Sequence, residues 1–374
     1  MATNEILPFG HQGTEVNGDI LSLAEYADEP QRLIGNQAGI ARRELVNTVL
    51  RQTSHMAAGL AQFIANRHPD GIVDDADLDK VEAAILSAIL KVARKPLTED
   101  ITVTVGTGGD YATVTEAVAH LASMYYVLGD GFTATISLLS GFVWAEQLSL
   151  AYTDLQWITI TSVDAVVTVQ RSAIPDGEAV IRGEYCSLPQ LLALLQMDTS
   201  GVAGSRIGIH LLGASISVDG GFRNADYRNM VVQGNSSVSA TYCDFSGSGD
   251  IGVYVQDSRA TLDGSDFSNC VGYGMLAMRA SFVSVAAAGA DNCGVGFKAN
   301  MGAFVTAWTA HALNCTTYGF HAADMGHMQV TSADASGAGT YGYCVTSGAM
   351  LNRRASTGTY SQALSTPTTH GIIF

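Results

Sequence analysis

Short runs of alternating apolar and polar residues fill the chain from about residue 203 to its end. The runs "RIGIHLLGASISVDGG", "NMVVQG" and "SVSATYCDFSG" each fit strands of four to six residues, bounded by Gly, Ser and Asp. Because many short strands follow one another without interleaved helices, this part of the chain is predicted to be all-β.

The alternation recurs with a fixed period. Glycines flanked by apolar residues are separated by 22, 22, 23 and 23 residues, at Gly252, Gly274, Gly296, Gly319 and Gly342. Asn-Cys pairs begin in phase at residues 269, 292 and 314. An apolar column keeps the same period at Val283, Val305, Met328 and Leu351. Short strands repeating every 22–23 residues predict a parallel β-helix, in which each repeat is one coil stacked on the previous one.

Strand alternation assigns each repeat position to a face of the coil. In the pattern x-Gly-x, the two apolar neighbours are expected to point inward and the glycine outward. One inner column would then be Ile251, Tyr273, Val295, Tyr318 and Tyr341. A second would be Val253, Met275, Phe297, Phe320 and Tyr343. The outward glycines would either ease a turn or let a neighbouring subunit's backbone approach closely, and the sequence leaves both interpretations open.

The chain before residue 101 has a different pattern. Residues 1–37 lack periodicity and predict an extended arm, whereas residues 38–95 carry apolar residues at helical spacing and predict a small α-helical module. "KPLTED" at 95–100 marks a boundary, and residues 96–374 are assigned to the β-helix. A helix near 113–121 is expected to cap this β-helix, whose regular coils span about 250–360.

Composition excludes several classes of protein. The chain is 47% apolar with 14% charged residues, which excludes a disordered chain, and its net charge of −16 disfavours nucleic acid as a partner. The sequence shows no secretory signal and no run of the ~20 apolar residues that span a bilayer, so we expect cytoplasmic synthesis and no membrane insertion. The six cysteines form no CxxC or zinc pattern, and we interpret them as buried thiols.

Candidate catalytic and metal-binding residues give weak signals. Aspartates at 257, 263, 266, 291, 324 and 334 form no recognisable carboxylate pair of the kind that cleaves glycosidic bonds, and aspartate in Gly/Ser-rich segments is typical of turns. His311, His321 and His327 have no metal-ligand spacing. We therefore expect no catalytic residues, no metal and no cofactor.

Two clusters of arginine with aromatic residues are candidate contact sites. The segment "GGFRNADYRN" contains Phe222, Arg223, Tyr227 and Arg228, and a pair of arginines, Arg353 and Arg354, lies further along the chain. Aromatic residues and arginine are enriched at binding hot spots. From sequence alone, each cluster fits a receptor contact or a subunit contact equally well.

The segment "VGTGGDYATVTEAVAHL" at 105–121 resembles the opening of pectin-lyase-like β-helix proteins. In that family a Gly-Asp-aromatic pattern forms the entry strand and the capping helix, and here Gly109, Asp110, Tyr111 and Thr113 match it. "ISLLSGFVWAEQLSL" at 136–150 matches a following turn loosely, through Gly141, Trp144 and Glu146. The resemblance implies a right-handed parallel β-helix and says little about activity.

Residues 1–95 resemble the N-terminal module of tail fibres from tailed bacteriophages. The similarity is spread over "ILPFG" at 6–10, "AEYA" at 24–27, "GNQAGIARRELVNTVLRQTSHMAAGLAQFIA" at 35–65 and the acidic-headed helix from 74. The resemblance implies a virion protein that attaches to the tail or baseplate and forms a homotrimer. The tail-attachment residues that it implies are Leu7, Phe9, Tyr26, Ile40, Arg43, Leu50 and Arg51.

The sequence therefore predicts a tail fibre or tailspike that presents a β-helix to a glycan or protein receptor on the bacterial surface. The main alternative is a tailspike enzyme that degrades surface polysaccharide with paired carboxylates. A second alternative is a connector within the fibre network or baseplate that does not contact the host.

Overall fold

The chain divides into two compact units, Met1–Lys95 and Pro96–Phe374. The structure, a computed structural model, describes residues 17–34, 42–67, 72–73, 77–92, 95–125, 131–199, 203–359 and 372–373. The helices are α1 (Leu23–Asp28), α2 (Pro30–Ile34), α3 (Arg43–Ala65), α4 (Leu78–Val92) and α5 (Val114–Ala122), with a 3₁₀ turn at Arg171–Ala173.

The first unit is helical in its described part, and because α1 and α2 lie within residues 1–37, the extended arm predicted there is wrong over these two segments. Its core joins Ala61 and Ile64 of α3 to Ala84 and Ala88 of α4. Earlier in α3, Thr48 Oγ1 accepts a 2.9 Å hydrogen bond from the backbone N–H of Leu21. Among the described residues, no helix combines the length and apolar character needed to cross a bilayer.

The second unit is a parallel β-helix of about nine coils within its described part. Each coil contributes strands to sheets that run along the axis. Sheet 1 contains β2 (Ile101–Val105), β4 (Ala134–Leu138), β7 (Ile158–Ser162), β10 (Gln190–Leu191), β13 (Ser215–Val218), β16 (Ser237–Ala240), β18 (Arg259–Thr261), β20 (Phe282–Ser284), β22 (Phe304–Trp308), β24 (His327–Thr331), β26 (Met350–Arg354) and β27 (Ile372–Ile373).

The remaining strands complete the coils. Sheet 2 contains β6 (Leu148–Ala151), β9 (Ala179–Glu184), β12 (Ile207–Leu212), β15 (Arg228–Gln233), β17 (Ile251–Gln256), β19 (Tyr273–Met278), β21 (Val295–Asn300), β23 (Tyr318–Ala322) and β25 (Tyr341–Val345). Sheet 3 contains β5 (Val143–Trp144), β8 (Val167–Val169), β11 (Leu194–Met197) and β14 (Gly221–Arg223), and single bridges continue its line to Thr357. β1 (Lys95–Pro96) pairs with β3 (Met124–Tyr125).

Helix α5 covers the end of the core where the β-helix begins. Thr113 and Glu116 form a reciprocal capping box, and the side chain of Glu146 accepts hydrogen bonds from the backbone N–H groups of Val114 and Thr115 at 2.6 and 3.2 Å. The apolar side of α5 is buried in the same core as the strands. The sequence predicted this helix. The carboxylate of Glu146 supplies acceptors for the otherwise unsatisfied N–H groups of the first turn of α5.

The interior confirms two predicted apolar columns. The column from Val253 to Tyr343 is fully buried, and its aromatic rings stack at centroid distances of 5.2 Å (Phe297 with Phe320) and 5.4 Å (Phe320 with Tyr343). The column from Val283 to Leu351 is also buried. Adjacent coils place equivalent side chains ~4.8 Å apart, so like residues form continuous ladders inside the β-helix.

The first predicted inner column is wrong. Ile251 packs in a separate apolar cluster with Val231, Tyr254 and Leu276 on the outer face of sheet 2. Its equivalents in the next coils lie on the same face at Tyr273, Val295, Tyr318 and Tyr341. Strict alternation fails here because two consecutive residues, Gly252 and Val253, both face the core.

The glycine column faces inward, which corrects its predicted outward position. Gly252, Gly274, Gly296, Gly319 and Gly342 are buried. A Cβ on Gly296 would lie 2.6 Å from both Ala312 Cβ and the backbone oxygen of Gly319, and a Cβ on Gly274 would lie 2.7 Å from Ala290 Cβ. These glycines contact their own chain closely, so they offer no bare strip to a neighbouring subunit. Their φ angles are not in the left-handed region, so crowding, and not turn strain, requires glycine.

The Asn-Cys motif combines a corner with a core position. Asn269, Asn292 and Asn314 adopt left-handed φ angles of 61°, 56° and 54°, which asparagine tolerates better than most residues. The following thiols point inward, and the Sγ atoms of Cys293 and Cys315 each donate to a backbone oxygen at 3.2 Å. Burial raises the pKa of Cys315 to about 12, and the cysteines are buried as predicted.

Candidate functional site

The residues of the first predicted contact cluster do not all lie on the surface of the β-helix. Phe222 is 0% exposed and lies in the main core, so its assignment to a contact surface is wrong. Arg223 is held by Gln196 Oε1 and Asp244 Oδ2, both at 2.9 Å. These contacts fasten Arg223 to the neighbouring coils.

Tyr227 and Arg228 do lie on an outer face. The Arg228 guanidinium carbon is 4.3 Å from the Tyr227 ring centroid and 4.5 Å from that of Tyr254. This cation–π sandwich begins an apolar and aromatic surface on the outer face of sheet 2. The structure therefore places these two residues where a partner is able to reach them.

The two arginines of the second predicted contact cluster also have different surroundings. Arg353 follows Ala307 and Val330 in a ladder position whose earlier members are fully buried, and its guanidinium lies 5.1 Å from the Tyr343 ring centroid. Arg353 is therefore half-buried on the core side of β26, which corrects its assignment to a contact surface. Arg354 is exposed.

The residues implied for tail attachment are described only in part. Leu7, Phe9 and Ile40 lie outside the described residues. Tyr26 is half-buried beside the guanidinium of Arg32, and Arg43 donates to the backbone oxygen of Gly18 at 3.0 Å. Leu50 is 45% exposed and Arg51 is half-buried, both on α3.

Helix α3 carries more exposed apolar side chains than its predicted stripe suggests. Exposed members recur at helical spacing at Val46, Val49, Leu50, Met56 and Leu60. In α4, Leu78, Leu86 and Ile89 are exposed as well. Exposed apolar side chains in this number are typical of interaction surfaces.

A column of polar groups interrupts the outer face of sheet 2. Lys298 and His321 are ladder partners, and His321 Nε2 lies 3.2 Å from Thr346 Oγ1. Burial lowers the pKa of His321 to about 4, and the positive charge of Lys298 adds to this effect. His321 is therefore neutral in the folded protein at pH 7.

We expect the stability of the β-helix to fall between pH 6.5 and about pH 4 because of His321. In the unfolded chain this histidine binds a proton near its ordinary pKa of 6.5, whereas in the folded chain it does so only near 4. Acid therefore favours unfolding, by about 1–3 kcal/mol from this group. Urea unfolding at several pH values should show a shallower pH dependence for His321→Gln than for the wild type. Equal slopes would contradict the prediction.

Two of the aspartates considered as catalytic candidates, Asp266 and Asp334, lie in turns along sheet 3. Bridges along sheet 3 align Asp244, Asp266, His311 and Asp334 with Gly289 in one ladder. Asp266 and Asp334 accept hydrogen bonds from the backbone N–H groups two residues later, at 2.9 Å each. Hydrogen bonds from Ser336 lower the pKa of Asp334, which makes it a poor general acid. Their role as turn formers was predicted; their alignment was not.

The three histidines considered as metal ligands lie on different sheets. His311 is in the sheet 3 ladder with its Nδ1 2.9 Å from Asp291 Oδ1, whereas His321 lies in sheet 2 and His327 in sheet 1. Among the described residues, no group of three His, Cys, Asp or Glu side chains is placed to hold a metal ion. The coil thus separates residues that lie close in sequence.

One column of outward-facing residues in sheet 1 is polar in the early coils and largely apolar in the later coils. This column was not predicted from the sequence. Its successive members are Asp154, Ser187, Ser215, Ser237, Arg259, Phe282, Phe304, His327 and Met350. The first half is polar, and the second half carries exposed Phe and Met side chains. Met301 and Met325, exposed at the adjacent corner, extend this apolar stripe. From Ser215 onward its members are 22–23 residues apart, and this spacing was a signal that could have revealed that part of the column.

An open groove of ≈ 560 Å³ lies beside the polar half of this column. Tyr152 and Tyr185 form one wall, with rings stacked 5.8 Å apart at 11°. The rest of the lining is mostly polar and consists of Thr153, Asp154, Cys186, Ser187, Gly213, Ala214, Ser215, Asn235 and Ser237. Both tyrosines occupy corners with left-handed φ, 54° and 48°. Sequence reasoning singled out none of these residues.

Comparison with known proteins supports the fold. A family model described as "Right handed beta helix region" matches residues 229–362. The second unit is thus a right-handed parallel β-helix, as predicted. No curated protein matches the sequence.

Three solved structures are similar at low identity. The A-module of Azotobacter vinelandii mannuronan C-5 epimerase AlgE4 is 14% identical, with 65% of this chain and 91% of that chain covered and a TM-score of 0.37. ORF18 of Geobacillus virus E2 is 10% identical, covering 82% and 66%, with a TM-score of 0.32. The AlgE6 A-module from A. vinelandii is 10% identical, covering 65% and 90%, with a TM-score of 0.19. At these TM-scores the likenesses carry no information about activity.

Proposed function

We propose that this protein is a structural component of a phage tail, a fibre or tailspike that attaches through residues 1–95 and presents its β-helix to the host surface. The observation that carries the proposal is the pairing of two unlike units. A helical unit that resembles a tail-attachment module exposes apolar helix faces, and a separate unit forms a coiled scaffold with a continuous core. The first suits docking to another protein, and the second suits the display of side chains.

We assign subunit contacts in the proposed homotrimer to the apolar stripe of sheet 1. Phe282, Phe304 and Met350, with Met301 and Met325, stay exposed, while the same column is polar in earlier coils. A second copy is the favoured occupant because it carries the same ~4.8 Å coil spacing, so ladders of the two copies stay in register along the axis. The stripe replaces the glycine column as the surface assigned to subunit contact.

The proposal predicts that Leu50→Glu blocks attachment to tails without unfolding the chain. A charge on this exposed face of α3 opposes burial against a tail protein, so incorporation into particles should drop about tenfold or more. Gln52→Glu, also on α3 and exposed, introduces the same charge as a control. Incorporation is measured by blotting purified particles complemented with each variant. Equal incorporation of Leu50→Glu and Gln52→Glu would contradict attachment through this face.

Two further measurements would distinguish the proposed function from its alternatives. A stable monomer in mass measurements of the whole chain would remove the fibre interpretation. Oligosaccharide release from host polysaccharide would favour the enzyme alternative, whereas incorporation into tails without any binding to host cells would favour the connector alternative.

A further inference from the structure

We infer that the groove beside Tyr152 and Tyr185 binds a neutral carbohydrate chain. The inference rests on the proposed function, because it gives the β-helix a defined ligand class and a defined contact surface. Four features of the groove support a carbohydrate ligand: its aromatic wall, the corners that hold that wall, its polar lining and its charge.

The aromatic wall is available to a ligand. Tyr152 is 80% exposed and Tyr185 57% exposed, so their rings contribute little to the core. Held nearly parallel, the two rings present broad faces of the kind on which the C–H face of a pyranose ring stacks.

The corners of the β-helix do not require aromatic residues. The equivalent corner position in later coils is left-handed too, and it is occupied by Gly213, Gly234, Asp257 and other non-aromatic residues. The two tyrosines stand in adjacent coils at this corner and stack on each other, and this paired aromatic surface is what points to a ligand.

Gly213 makes room for the Tyr185 ring at the edge of the groove. Tyr185 Cδ1 lies 2.7 Å from where a Cβ of Gly213 would be, so the ring covers this glycine. The groove volume of ≈ 560 Å³ is within the usual range for ligand sites.

The lining favours sugar hydroxyls over other ligands. Hydroxyl groups of Ser187, Ser215 and Ser237 point outward along one ladder, with the Asn235 amide beside them. These groups both donate and accept hydrogen bonds, as sugar hydroxyls do. The lining offers no deep apolar pocket for the side-chain anchor of a peptide.

The negative charge of the groove and of the chain disfavours the binding of acidic glycans. Asp154 is the charged side chain among the groove-lining residues, and the chain carries a net charge of −16. A uronic-acid chain would be repelled, whereas neutral or amino sugars would not. A single carboxylate also fits binding without cleavage, because glycoside hydrolysis uses a pair.

An array of bacterial surface polysaccharides, probed with the intact protein, tests the inference. The wild type should bind neutral glycans, and Tyr152→Ala and Tyr185→Ala should each weaken binding about tenfold or more. Tyr242→Ala is the matched control, because Tyr242 is also 80% exposed with a left-handed φ of 57° but lies outside the groove. Ser215→Val keeps the tyrosine pair, so a several-fold loss there would link the hydroxyl ladder to the same site.

The dependence of glycan binding on salt concentration provides a second test. Binding of a neutral chain should change less than about twofold between 0.05 and 0.5 M NaCl. The inference is overturned if the wild type binds only acidic glycans or none, or if Tyr242→Ala loses as much affinity as Tyr185→Ala. Because the attachment test with Leu50→Glu does not involve the groove, failure here would leave the proposed function standing.

Discussion

Asp226→Asn is expected to destabilise the β-helix by about 3–5 kcal/mol. The Asp226 side chain is 1% exposed and lies between two arginines, 3.1 Å from Arg171 Nε and 2.9 Å from Arg206 Nη1. Both guanidinium groups are largely buried. Neutralising the carboxylate leaves two cations close together with poor access to water, which is why the expected loss is large.

Urea unfolding followed by the fluorescence of the buried Trp144 would measure the effect. Asp257→Asn is the matched control, because Asp257 forms a 3.3 Å ion pair with Arg279 in which both side chains are substantially exposed. That pair should contribute at most about 1 kcal/mol. Adding Arg206→Met to Asp226→Asn should recover part of the loss by removing one of the buried cations. Similar unfolding midpoints for Asp226→Asn and Asp257→Asn would contradict the prediction.

Gly296→Ala is expected to cost about 2–3 kcal/mol, at the upper end for overpacking a core. The new Cβ would lie 2.6 Å from Ala312 Cβ and from the backbone oxygen of Gly319. Because neither atom belongs to a flexible side chain, relief requires the backbone of a neighbouring coil to move. Urea unfolding measures the loss.

Gly302→Ala serves as the control, because Gly302 has φ +78° and open space around it. Only backbone strain of about 1 kcal/mol is expected there. Adding Ala312→Gly to Gly296→Ala should restore part of the lost stability. The oligomer mass of folded Gly296→Ala should equal that of the wild type, whereas dissociation into folded monomers would point back to a glycine strip at a subunit contact.

Much of the fold could be predicted from the 22–23-residue repeat in the sequence, whereas part of the candidate site could not. Phe297, Phe320 and Tyr343 were placed in the core correctly, because in-phase residues of a β-helix stack on one another. Phe222 was misplaced because it precedes the regular repeat, where the sequence offers no register. The spacing of His311, His321 and His327 gave no indication that the three side chains lie on different sheets.

The groove was beyond sequence reasoning for a related reason. Tyr152 and Tyr185 are 33 residues apart, because the loop that contains Arg171–Ala173 lengthens their coil beyond the regular period. The three members of the Arg171–Asp226–Arg206 cluster likewise come from irregular coils. Contacts between coils of unequal length leave no periodic trace in the sequence.

The sequence by itself determined the coil period, the inner ladders from Val253 and Val283, and the boundary near residue 95. It could do so because hydrophobic spacing and strand alternation act locally, and each coil repeats the last. The tertiary structure alone decided that the glycines face inward, that Tyr318 faces outward and that Tyr152 meets Tyr185. Those outcomes depend on how the chain bends at each corner, and the bend is fixed by packing against neighbouring coils.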